Sequence, residues 1–248
     1  MTVTRPYRRT FRQHVNGSYT EGGKGRYVRH PKYGDAPKQY VRAYLLIQKD
    51  LQELFDYIEP ADENLMTYSY RTHELLIRTC VEVEANCKAI LLENGYAKAG
   101  DWRMPDYRLL NTTHRLSSYK IRVPHWHGIQ HTCAPFGAWD RADSLNWYSA
   151  YNAVKHDRHN EFAKANFANL LNAVSGLVAL LAAQFGSEDF SPSSNIVITE
   201  DDYREGFEDS IGGFFQVRYP DDWPADQRYE FNWQNLENEP DPFQSLSF

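Results

Sequence analysis

Residues 147–158 read Trp-Tyr-Ser-Ala-Tyr-Asn-Ala-Val-Lys-His-Asp-Arg (WYSAYNAVKHDR). Residues four apart share one side of an α-helix, so Tyr148, Asn152 and His156 fall in one row and Tyr151 and Lys155 in the next. Arg158 and His159 follow one turn on, and Trp147 and Val154 supply an apolar side. Histidine exchanges protons near neutral pH, asparagine orients it or binds a ligand, and lysine or arginine holds phosphate. That set suits phosphodiester chemistry without a metal. It equally suits a helix end where the polar groups bond backbone and the cations are solvated.

The segments on either side of this helix are helical too. Downstream, Phe162, Phe167, Leu170, Leu171, Val174, Leu177, Val178, Leu180 and Leu181 predict a further helix over about 160–184, stopped by Gly186. Upstream, Asp143 or Ser144 is the expected cap. Nearer the start, Tyr40, Tyr44, Ile47, Leu51, Leu54 and Ile58 recur at three and four, predicting a helix from Pro37 to near Pro60. Asp62 or Asn64 is the expected cap of a long second helix. It runs through Met66, Tyr70, Leu75, Ile77, Cys80, Cys87 and Ile90 to a stop at Asn94 and Gly95. Between them, 96–140 is less regular, with a short helix at 105–114, a strand at 119–123 and a loop over 124–139 rich in histidine and aromatics. Strands are expected at 195–199 (NIVIT) and 214–219 (FFQVRY).

Charge divides the chain into three. Residues 1–32 hold eight Lys/Arg and one acid, whereas 187–248 hold fifteen acids and three arginines. The expected organisation is a basic N-terminal arm at 1–35, a helical domain at 36–186 and an acidic, aromatic-rich C-terminal extension at 187–248. The basic arm, with Tyr7, Phe11, Tyr19 and Tyr27 interleaved, suits phosphates and bases, or the acidic tail of its own chain or a neighbour's. No apolar run reaches the roughly 18–20 residues of a spanning helix, 170–185 coming nearest. The N-terminus lacks the apolar stretch of a secretory signal. Three cysteines make no disulfide framework and point to a reducing, cytoplasmic setting. His125, His127, His131 and Cys133 have the residue types of a zinc site without a recognised ligand spacing, so no metal is assigned.

The layout resembles the HEPN superfamily: a helical domain with a long early helix, and a late helix carrying Arg-Asn-x-x-x-His. Here Asn152-Ala-Val-Lys-His156 stands at that motif, with Tyr151 in the place of the family's arginine. The resemblance covers roughly 37–186. It implies a mainly α fold, an up-and-down bundle of four to five helices, to which this chain adds an irregular N-terminal arm and a small β or irregular C-terminal extension. It implies a homodimer that binds or cleaves RNA without a metal or other cofactor, in phage defence or toxin–antitoxin biology. His156, Asn152, Lys155 and Arg158 would be the catalytic set, and Tyr148, Tyr151 and His159 the substrate contacts. Tyr151 also favours the alternative, a non-catalytic helical dimerisation or interaction module whose charged arms bind a protein partner.

Overall fold

The computed structural model describes residues 2–191 and 205–248. The strand expected at 195–199 lies outside them. The chain is mainly helical, with a small four-stranded antiparallel sheet. Its helices are α1 (Pro37–Phe55), α2 (Tyr70–Glu93), α3 (Met104–His114), α4 (Asn146–His156), α5 (Arg158–Glu161), α6 (Phe167–Phe185) and α7 (Trp233–Leu236).

Helix α6 is the centre of the molecule. It carries no charged residue, and from Leu170 onward almost every side chain is buried. A helix apolar all round belongs inside. By length and mean hydropathy (1.5) Phe167–Phe185 does reach membrane-spanning dimensions, beyond the length allowed it above, and 83% of that window is buried by the rest of the chain. Helix α2 packs along α6, and α1 and α4 flank the pair. Gly176 lets α4 approach closely, because a Cβ there would sit 3.2 Å from the Trp147 ring.

Helix α2 is shorter than expected. Ser69, not Asp62 or Asn64, caps it: the Ser69 hydroxyl accepts from the Thr72 N–H (3.1 Å), and Thr72 Oγ1 accepts from the Ser69 N–H (2.7 Å). This reciprocal pair satisfies two backbone donors at the helix start. Asp62 instead opens a 3-10 turn, Asp62–Asn64, and turns its carboxylate to a distant loop. Helix α1 stops at Phe55, short of Pro60, and α4 begins at Asn146, after Leu145 rather than Asp143 or Ser144. The helix expected from about 160 starts later, at Phe167, behind a 3-10 turn, Phe162–Lys164.

The sheet joins the middle of the chain to its end. Strands β1 (Lys120–Arg122), β2 (Thr132–Cys133), β3 (Glu208–Asp209) and β4 (Gln216–Arg218) lie in the order β2-β1-β4-β3. Ile121 faces Cys133 on one side and Val217 on the other. Ile121 and Val217 are fully buried, and both central strands rest on α6.

The basic arm and the acidic tail meet each other. Arg5 pairs with Glu239 (2.7 Å), Arg8 with Asp241 (2.7 Å) and Arg29 with Glu188. Arg9 is wholly buried, bonded to Glu93 (2.5 Å), to Gln184 Oε1 (3.0 Å) and to the Asp35 carbonyl. Arg12 donates to the Thr113 and Gln227 carbonyls, with its guanidinium 4.6 Å from the Trp223 ring centre. Tyr27 meets Tyr33, Tyr229, Phe231 and Trp233 edge to face, and Phe243 tilts against Tyr33. The three segments marked out by charge thus share one hydrophobic core. Residues 21–29, expected to be irregular, form 3-10 turns with Tyr27 and Val28 inside.

Candidate functional site

The buried Trp147, Ala150, Tyr151 and Val154 seat α4 on α6 and α2. The Trp147 indole donates to the Pro135 carbonyl (2.8 Å), fixing the first turn. Asp157 ends the helix with extended φ (-139°), and its carboxylate accepts from the Asn160 N–H (3.2 Å) to cap α5. The chain therefore breaks between His156 and Arg158. The break throws Lys155, His156, Arg158 and His159 onto an exposed tip. Lys155 occupies the last turn, where a cation favours the negative end of the helix dipole.

The predicted residues divide into two groups. Tyr148 and Tyr151, expected to touch substrate, point inward. Tyr148 donates to a Glu84 carboxylate oxygen on α2 (2.8 Å), and burial, with the Glu84 charge, holds its hydroxyl well above the usual tyrosine range. Tyr151 is 1% exposed, its ring 5.3 Å from that of Tyr148. Its buried ring is closed to a ligand. Its hydroxyl, raised in pKa by burial, accepts from Lys155 Nζ (3.1 Å), and that bond keeps the Lys155 ammonium above the ordinary lysine value. Tyr151 thus fixes a cation one turn on.

The second group faces out. Asn152 is half-buried; His156, Arg158 and His159 are exposed. Among the described residues, no hydrogen bond or ion pair engages the side chains of Asn152, His156 or His159. The Arg158 guanidinium lies 5.9 Å from the centre of the Tyr70 ring. On α2, Glu84 reaches Tyr148, and Glu82 lies toward Arg78.

Sequence reasoning missed the aromatics beside this tip. Tyr70 looked like part of the apolar side of a longer helix, and Phe162 like the start of α6. Tyr70 is instead the exposed first residue of α2, in contact with Phe162. The signal available was Tyr68-Ser69-Tyr70, two tyrosines astride a residue suited to capping.

The histidine loop serves another purpose. The Asp62 carboxylate accepts from the Trp126 indole (2.6 Å) and from the N–H groups of Ile129 (3.0 Å) and Gln130 (3.1 Å). These bonds, the backbone one from Ile129 first, hold its pKa below the usual carboxylate range. A Cβ at Gly128 would lie 2.4 Å from that carboxylate, so only glycine fits there. His127 reaches Glu59 (3.1 Å) and Cys133 sits in β2. Among the described residues, no group of three or more His, Cys, Asp or Glu side chains could hold a metal ion.

A groove of about 470 Å³ lies between α1 and α2, lined by Asp50, Glu53, Tyr57, Arg71, Glu74 and Arg78. Its charges are spent on one another, Arg78 with Asp50 and Arg71 with Glu74, and none of the predicted residues lines it. No family model, curated protein or solved structure matches the chain.

Proposed function

We propose that this chain is an HEPN-like helical-bundle protein of the cytoplasm that binds RNA at the tip of α4, as a homodimer, with a metal-independent endoribonuclease-type site. One observation carries this reading: half-buried Asn152 and exposed His156 and Arg158 lie on the last turns of α4 and just beyond it, with no hydrogen-bonding partner for their side chains among the described residues. Exposed arginine and lysine beside histidine match a phosphodiester. In this reading α1, α2, α4 and α6, which pack on one another, stand for the four members of the bundle.

In the reaction, His156 takes the proton of a ribose 2′-hydroxyl as its oxygen attacks the adjacent phosphorus. The bond to the 5′-oxygen breaks, and that oxygen receives a proton from the His156 of a second copy or from water. The products are a 2′,3′-cyclic phosphate and a 5′-hydroxyl. Asn152 orients His156, and Lys155, held by Tyr151, with Arg158 balances charge on the phosphate oxygens. The buried Tyr151 supports a second reading, in which the same tip binds RNA without cutting it.

The test is a labelled single-stranded RNA incubated with wild-type protein and His156→Ala. Cyclic-phosphate ends made by the wild type and lost in the variant support cleavage. Equal binding by both proteins, with no cutting by either, selects the non-catalytic reading. A wild type that neither binds nor cuts ends both.

A further inference from the structure

The tip of α4 borders a shelf of rings. Tyr68 is 50% and Tyr70 63% exposed, unusual for side chains of that size next to a packed core. The Phe162 ring centre lies 4.8 Å from that of Tyr70 and 5.7 Å from that of Tyr68. His73 closes the set, 5.7 Å from Phe162. The guanidinium of Arg158 reaches over Tyr70, two residues along the chain from His156.

The shelf is held from both sides. Tyr68 bridges to Asn166, the Phe167 N–H donates to the Thr67 carbonyl (2.8 Å), and the Ala168 N–H donates to the Leu65 carbonyl (2.9 Å). The Ser69–Thr72 cap fixes the entry into α2 between the two tyrosines. Rings anchored in this way lose little freedom when a flat partner stacks on them.

Exposed aromatics in front of a purely apolar protein partner would strand Arg158, His156 and His159 in a desolvated interface. A ligand that carries flat bases beside anionic phosphates satisfies both halves of the surface. Duplex RNA keeps its bases stacked inside, so only a single strand presents a free π-face. We infer that Tyr68, Tyr70 and Phe162 form a base-stacking subsite for single-stranded RNA, with Arg158 joining it to the phosphate contacts at His156. This subsite rests on the RNA-binding reading above and gives that reading its strand preference.

The experiment is fluorescence anisotropy with a ten-nucleotide single-stranded RNA, the same sequence as a duplex, and an abasic ribose-phosphate oligomer. The proteins are wild type, Tyr70→Ala, Tyr70→Phe and Arg158→Gln, each also weighed by sedimentation equilibrium. Tyr70→Ala is expected to lose about five- to hundredfold in affinity for the single strand, the range of one stacked base. Tyr70→Phe keeps the ring and the affinity. Tyr70→Ala leaves duplex and abasic affinities as they were. If Tyr70→Ala binds like the wild type while Arg158→Gln is weakened, the subsite is overturned and RNA binding stands. If Tyr70→Ala instead dissociates the protein into monomers with RNA affinity per protomer unchanged, the shelf is a contact between copies and the inference fails. No binding of any RNA by the wild type overturns subsite and reading together.

Discussion

Tyr148 donates its phenolic hydrogen to Glu84 across 2.8 Å, tying α4 to α2 two turns before the exposed tip. The bond lies in a half-buried gap and its acceptor is a carboxylate, so it is stronger than an exposed neutral one. Tyr148→Phe keeps the ring and removes the bond. It is expected to lower stability by about 1 kcal/mol. Urea unfolding should show an earlier midpoint with an unchanged slope.

The exposed cations at the tip make a prediction about salt. Arg158 has no ion-pair partner among the described residues, so its charge is available to a phosphate. Arg158→Gln should reduce the slope of log affinity against log salt by roughly 0.7, one single-strand phosphate contact. An unchanged slope would remove Arg158 from the interface.

Two buried histidines make the fold sensitive to acid. His114 Nε2 donates to the Arg9 carbonyl (3.0 Å), leaving Nδ1 to accept from the Thr113 hydroxyl (2.8 Å); burial, with Arg12 nearby, pushes its pKa down to about 3. Burial likewise lowers His14 to about 4. Both values fall below the unfolded 6.5, so the unfolded chain takes up protons first as pH drops. Stability is complete above pH 6.5 and declines toward the folded values, by about 2 kcal/mol at pH 5 for His114 alone. Thermal melts across that range should fall steadily, and His114→Gln should flatten the fall while lowering stability at pH 7.

Arg9 is the most committed charge in the molecule, fully buried with three partners. Arg9→Ala strips Glu93 of its ion pair and Gln184 of a donor, at an expected cost of about 3–5 kcal/mol. Chemical denaturation measures it directly. A loss below about 1 kcal/mol would mean that Arg9 contributes little to holding the arm against α2 and α6.

The loop around Trp126 is predicted to depend on Asp62 rather than on a metal. Chelator should leave both the melting temperature and RNA binding as they were. Asp62→Ala should release the indole bond and shift Trp126 fluorescence to the red.

Local pattern carried much of this fold. The three-four recurrence over α1 and the apolar run of α6 place the start of α1 and the end of α6 where they lie, and each helix is shorter than its pattern at the other end. The strand over 119–123 and the one over 214–219 are present as β1 and β4, in shorter form. What escaped was decided by groups far apart in sequence. Asp62 has the chemistry of a cap, but Trp126 and Gly128 claim it, and Ser69 takes its place. Arg9 and Arg12 look like surface charges until Gln184, Glu93 and Thr113 close around them. At the site, spacing put Asn152 and His156 on one row correctly. It gave no sign that Tyr151 on the adjacent row is buried, because that depends on the packing of α4 against α2 and α6.

The pairing of the arm with the tail also bears on the order in which the molecule is made. Tyr229 returns to Thr10, and Gln244 to Arg5 and Pro6, across more than two hundred residues. During synthesis α1, α2, α4 and α6 can gather as they emerge, but Tyr27 and Tyr33 wait uncovered for residues 229–243. Contacts between such distant segments close slowly. A nascent chain halted near residue 225 would carry an open aromatic surface, and the final wrap is the step at which chaperones have most to protect.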